Sequence, residues 1–277
     1  MKIARVFPRR TSATPDDELA FINCSPPMLT LPEIDEVHIS VAFTWDKPRA
    51  EPLALEWEIT GVPVKLGGPA YNEPGGDFVP GRYLKQGYVI TSRGCPNHCW
   101  FCSVPKREGG TLRELPITEG WKLLDDNILA TSETHFRAVM RMLRNQSYAP
   151  ILSGGLEAAR LKDWQAELLA YIKPKEMFFA YDTPDDYEPL VEAGKILQRY
   201  GFTTKDQRAR AYVLIGYQGD TVTAAEKRLR DTWEAGFLPF AMLYRDENAA
   251  VKNLDWAKFQ RLWSRPVITV SKLINGT

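Results

Sequence analysis

The sequence predicts an α/β protein built on parallel strands, with a small α/β segment ahead of the main sheet. Three observations carry this. From Tyr88 onward short apolar runs alternate with stretches of helical period, and strand–helix–strand order implies parallel strands joined by right-handed crossovers. Nearly every run ends in a glycine or polar cluster, where parallel barrels and open α/β sheets place their ligands. Residues 1–85 differ in texture: they are rich in proline and hold short β-branched runs with little helical period.

Taken in order, strands are expected at Ile3–Phe7, Val37–Thr44 and Val62–Leu66, with a short helix over Pro52–Glu58. The stretch from Gly67 to Gly81 is crowded with turn formers and reads as a connector. Tyr88–Ser92 is a strand running into a cysteine loop, and Trp121–Leu124 leads into Asp125-Asp126-Asn127. Ser132–Asn145 has a helical period with Phe136, Val139, Met140 and Leu143 on one face. Ile151–Leu152 enters Ser153-Gly154-Gly155, and Leu156–Ile172 is a helix stopped by Pro174. Met177–Tyr181 is a strand ending at Asp182, followed by a helix over Tyr187–Tyr200 that Gly201 stops. Ala211–Gly216 and Phe240–Tyr244 are strands, with helices over Thr223–Ala235 and Trp256–Trp263. The expected division is 1–85, 86–250, and a C-terminal helix and tail over 251–277.

Composition sets the class. Of 277 residues, 44% are apolar and 25% charged, as in an ordinary globular protein. The 35 basic side chains balance 35 acidic ones, so no overall field favours a polyanion. No apolar run reaches the ~20 residues that span a bilayer. The first residues lack the apolar core of a secretory signal. No membrane partner is expected, and the cytoplasm is the expected compartment. Four cysteines are too few for a disulfide scaffold. Cys24 stands alone and reads as a buried or remote thiol, whereas Cys95, Cys99 and Cys102 lie close together, which in a reducing compartment points to metal binding.

The segment is Thr91-Ser92-Arg93-Gly94-Cys95-Pro96-Asn97-His98-Cys99-Trp100-Phe101-Cys102. Thiolates suit iron–sulfur clusters because sulfur is soft and its charge offsets that of iron. Three thiolates on one loop can hold three corners of a [4Fe–4S] cube and leave the fourth iron open to a ligand. The alternative is zinc, with His98 or Cys24 as fourth ligand, in a zinc-stabilised α/β binding module. Structural zinc usually takes two Cys-x2-Cys pairs or a Cys2His2 set, and this chain has one such pair.

Cys-x3-Cys-x2-Cys with Phe101 before the last cysteine resembles the signature of the radical SAM superfamily. The flanking Thr-Ser-Arg-Gly-Cys-Pro is similar to the subgroup linked to a cobalamin-binding domain. The resemblance covers residues 88–245 and implies a partial (βα)6-type barrel. It implies a [4Fe–4S] cluster on Cys95, Cys99 and Cys102 whose open iron is chelated by S-adenosylmethionine. It further implies reductive cleavage to a 5′-deoxyadenosyl radical, hydrogen abstraction from an unknown substrate, and an electron donor such as flavodoxin or ferredoxin. Phe101 would lie beside the adenine. Asp125, Asp126 and Asn127 would face the SAM amino group, the alternative being the N-cap of the next helix. Gly154 and Gly155 would let the backbone approach the ligand. Glu157 would bond ribose hydroxyls, Arg160 would meet the SAM carboxylate, and Asp182 and Gly216 would line the pocket.

Two departures accompany the resemblance. Only 18 residues separate Cys102 from Trp121, and Gly109-Gly110, Pro116 and Gly120 interrupt them, so the helix expected there is missing or vestigial. Residues 1–85 look like a truncated cobalamin-binding domain without its Asp-x-His-x-x-Gly loop: His38 is followed by Ile39-Ser40-Val41. Cobalamin is therefore not expected, least of all on a histidine ligand.

Overall fold

The computed structural model describes residues 1–245 and 254–275. The chain divides into two compact units, Met1–Gly120 and Trp121–Thr277. The boundary expected between 250 and 251 lies outside the described residues.

In the first unit, β1 (Ile3–Phe7), β2 (Ala20–Ile22), β3 (Glu36–Ser40) and β4 (Val64–Gly67) form a parallel sheet in the order β2-β1-β3-β4. β1 is buried along its whole length, as a central strand covered on both faces should be. β3 alternates buried Val37 and Ile39 with the partly exposed Glu36, His38 and Ser40. It ends earlier than expected because Thr44–Asp46 turn into a short 3-10 helix. Ala4, Val6, Ile39, Leu53 and Trp57 centre the core. The helix α1 (Lys47–Trp57) starts ahead of the expected Pro52: Pro48 takes the first turn, where a missing N–H costs nothing, and Pro52 is carried inside. Trp57 is fully buried and donates Nε1–H to the Cys24 carbonyl at 2.9 Å. Cys24 itself is exposed, which corrects its reading as a buried thiol.

The unit continues through β5 (Tyr88–Val89), β6 (Ser92–Arg93), α2 (Val104–Glu108) and β7 (Arg113–Glu114). The strand expected over Tyr88–Ser92 is thus broken in two. β6 and β7 pair antiparallel, Ser92 opposite Glu114 and Arg93 opposite Arg113, so the cysteines lie on the loop of a hairpin. The vestigial helix is α2, of five residues.

In the second unit, β8 (Lys122–Leu123), β9 (Ile151–Leu156), β10 (Glu176–Tyr181), β11 (Ala209–Ile215) and β12 (Leu238–Leu243) run parallel, side by side in chain order. Between them run α3 (Glu133–Arg144), α4 (Asp163–Ile172), α5 (Tyr187–Arg199) and α6 (Val222–Glu234). A sheet wound in chain order by crossovers of one hand carries its helices on one face, and α3 to α6 each pack on the next. α3 buries the expected Phe136, Val139, Met140 and Leu143. Its N-cap is Ser132, whose hydroxyl accepts the His135 N–H at 3.2 Å. After β12, α7 (Leu254–Trp263) is followed by α8 (Pro266–Asn275) where a tail was expected. No helix among the described residues is long and apolar enough to cross a membrane.

Two sequence expectations change here. Ser153-Gly154-Gly155 does not end a strand but lies inside β9. Leu152 pairs with Met177 and Leu156 with Phe179, so four residues advance along β9 where two advance along β10, a bulge. The helix expected from Leu156 begins only at Asp163. Ala158–Arg160 form a 3-10 turn first, and the Gln165 side chain then accepts the Lys162 N–H at 2.9 Å to start α4.

Candidate functional site

The cysteine loop leaves β6 through Gly94, which has φ +86°. A Cβ there would stand 2.3 Å from the Thr111 carbonyl oxygen, so the two ends of the loop cross at a position only glycine can take. Cys95 and Cys102 are half-buried and Cys99 is exposed. The Cys102 N–H bonds the Cys99 carbonyl at 3.1 Å, and Val104 N–H donates to Cys102 Sγ at 3.4 Å. Such N–H···S bonds support a ligating sulfur. Phe101 meets Trp100 edge-on at 5.4 Å, with Trp100 largely exposed. Among the described residues no three His, Cys, Asp or Glu side chains stand together as a group that could hold a metal ion. The fit to an iron–sulfur cluster therefore lies in donor chemistry and spacing: three soft thiols on one short loop.

In the second unit the structure brings Asn127, Glu157 and Arg160 together. Asn127 Nδ2 donates to Glu157 Oε2 at 2.7 Å, and Arg160 Nε donates to the same oxygen at 2.5 Å. Asp125 and Asn127 are buried, Asp126 less so. The capping alternative for this triplet is answered by Ser132, which caps α3 itself. A Cβ on Gly154 would fall 1.9 Å from the Asp125 carbonyl oxygen, whereas at Gly155 the nearest atom would be 4.0 Å away. Gly154 thus permits backbone contact between the segment after β8 and the bulge of β9. A small recess lies there, lined by Leu123, Asp125, Ile128, Leu152, Gly154, Gly155 and Leu156.

Asp182 follows β10 directly. Its carboxyl is pushed up to about 7, first by burial and then by the charge of Asp186. Asp186 Oδ2 accepts the N–H groups of Asp182 and Thr183 at 3.0 and 2.7 Å. Gly216 follows β11 with φ +72°, and a Cβ on it would press on Leu243 and Trp256. Its N–H goes to Asp220 Oδ2 at 2.8 Å, and that oxygen also meets Arg228 Nη2 at 2.8 Å. Gly216 thus shapes a tight, closed turn.

Sequence reasoning missed the group around Glu108 in the first unit. Arg107 and Arg113 reach its carboxylate at 2.9 and 2.7 Å, and Arg93 lies at 3.7 Å. No periodicity links these four positions; the signal was only the density of Arg residues on both sides of the cysteines. The first unit also has a cleft of about 460 Å³ lined by Arg5, Asp17, Arg82 and Lys85 among others, which holds none of the predicted residues. His38 is engaged at both ring nitrogens, Nδ1 with Tyr83 Oη at 2.5 Å and Nε2 with Glu36 at 2.8 Å.

Parallel α/β architecture of this kind is shared with solved structures of a radical S-adenosylmethionine enzyme. The particular likeness is to the radical S-adenosylmethionine methyltransferase TsrM from Kitasatospora setae. With cobalamin and a [4Fe–4S] cluster bound, that structure aligns at 11% identity and TM-score 0.60, over 88% of this chain and 75% of that one. With tryptophan substrate and the SAM analogue aza-SAM bound, the values are 12%, 0.59, 87% and 72%. At these identities the likeness is one of fold. No protein-family profile matches the chain, and no curated protein matches it.

Proposed function

We propose that the chain is a radical SAM enzyme. The observation that carries this reading is a Cys-x3-Cys-x2-Cys hairpin loop in a chain with the fold of an enzyme that binds a [4Fe–4S] cluster. Cys95, Cys99 and Cys102 hold the cluster. When bound, it supplies an electron that cleaves S-adenosylmethionine to a 5′-deoxyadenosyl radical for hydrogen abstraction. Phe101 packs beside the adenine. Asp125, Asp126 and Asn127 bind the amino group; Gly154 and Gly155 admit the cofactor close to the backbone. Glu157 bonds the ribose, Arg160 the carboxylate, and Asp182 and Gly216 border the pocket. The described bond between Arg160 and Glu157 supports a pre-set orientation for both. The fold is a partial (βα)6 barrel over 86–250, preceded by a truncated domain over 1–85. A flavodoxin- or ferredoxin-like donor reduces the cluster in the cytoplasm.

Cobalamin on a histidine is disfavoured by His38, whose two ring nitrogens are already bonded. A second reading, transfer of the SAM methyl group, draws support from the neighbours, which are methyltransferases. The test is anaerobic reconstitution with iron and sulfide. About four irons per chain and reductant-dependent 5′-deoxyadenosine support the first reading. S-adenosylhomocysteine with stoichiometric corrinoid absorbance supports the second. Zinc without iron would overturn both and favour the zinc-stabilised binding module.

A further inference from the structure

We propose that Glu108 is the positioning residue of the cysteine loop: its carboxylate closes the chain around Cys95, Cys99 and Cys102 before any inorganic group is present. The use made of the loop rests on the function proposed above; the closure itself does not. The Glu108 side chain is completely buried. A buried carboxylate is costly unless paired and hydrogen-bonded, and this one is served from four places. Arg107 Nε and Arg113 Nη2 donate at 2.9 and 2.7 Å, the Gly75 N–H reaches its two oxygens at 3.2 and 3.3 Å, and Arg93 Nη1 stands at 3.7 Å. Burial raises its pKa, but the bonds from Arg107 and Gly75 and the charges of Arg107 and Arg93 outweigh this and hold the carboxyl below its ordinary value.

The hairpin itself creates the need. Arg93 and Arg113 are direct partners across β6 and β7, and like charges opposite each other repel. Glu108 supplies the counter-charge to both. The same arginines stitch in the connector: Arg93 Nε donates to the Gly76 carbonyl at 3.1 Å and Arg113 Nη2 to the Gly75 carbonyl at 3.0 Å. One carboxylate therefore joins the strand entering the loop, the helix and strand leaving it, and a connector segment distant in sequence. A loop held at both ends loses less conformational entropy when its thiols converge on one group.

The experiment compares wild type with Glu108→Gln, which keeps shape and removes charge. Hydrogen–deuterium exchange on the apo chain is expected to quicken about tenfold over residues 93–113 and not in Trp121–Tyr244. After reconstitution, a chelator is expected to strip iron about fivefold faster. The electron paramagnetic resonance spectrum of the reduced cluster should broaden. Glu108→Asp should restore all three. Wild-type exchange over 93–113 in Glu108→Gln would overturn the proposal. If that variant unfolds β1 to β4 as well, Arg113→Gln decides: faster exchange confined to 93–113 supports the closure, and unchanged exchange refutes it. A wild-type chain that takes up no iron would sink the proposed function, while the exchange measurement would still decide the role of Glu108.

Discussion

Asn127 reaches Glu157 across 2.7 Å, and that bond ties the segment after β8 to the segment after β9. The two residues come from different turns of the chain, and Arg160 completes the link. An ordered donor–acceptor row at strand ends can recognise a polar cofactor without first reorganising.

This row yields the first prediction. Glu157→Gln keeps the shape but removes the charge that orients Arg160. Anaerobic equilibrium binding should show the SAM dissociation constant rising about tenfold, the loss of one charge-assisted bond. Unchanged affinity would remove Glu157 and Arg160 from the cofactor site.

Gly154 and Gly155 should respond unequally to the same change. Gly154→Ala puts a methyl against the Asp125 carbonyl and should destabilise the chain by ~1–3 kcal/mol. Gly155→Ala meets nothing nearer than 4.0 Å and should stay within about 0.5 kcal/mol. Urea unfolding of the two variants side by side checks this; equal costs would mean that the bulge of β9 does not approach Asp125.

Asp182 should make stability depend on pH. Unfolded, its carboxyl titrates near 3.8; folded, at about 7. Between these values the native state holds a proton that the unfolded state has lost, so stability falls as pH rises through that window. Asp182→Asn should flatten this slope and gain most near neutrality. Urea midpoints at several pH values between 4 and 8 test it, and a slope that survives the substitution would assign the effect elsewhere.

Cys24 and Cys99 are both exposed thiols, yet they should behave oppositely. Cys24→Ser should leave iron per chain unchanged, because among the described residues Cys24 is used through its backbone carbonyl, by Trp57. Cys99→Ser should abolish cluster uptake, because an alcohol is a poor ligand for iron in such clusters. Iron and sulfide analysis of both variants settles the pair.

Much of the fold was legible because it is written in neighbouring residues. The helical period of Phe136, Val139, Met140 and Leu143 marks α3, β-branched residues mark β1 and β11, and a run of apolar and aromatic residues marks β10. Local glycine chemistry misled at Ser153-Gly154-Gly155: glycines usually punctuate a strand, but here β10 and the Asp125 backbone hold them inside one. α1 starts ahead of the expected Pro52 because Pro48 already occupies the first turn, and a proline within a helical stretch gives no local sign of which turn it sits in.

By itself the sequence determined the α/β class, most of the helices and strands, and the three thiols whose spacing suits an iron–sulfur group, since each is a pattern of residues within one or two turns of chain. Only the tertiary structure decided that Glu108 faces Arg93, Arg107 and Arg113, that Asn127 meets Glu157, and that Gly154 passes under Asp125. These contacts depend on strand register and loop crossing. A shift of one residue would send every side chain of a strand to the other face, and no local pattern along the chain records that choice.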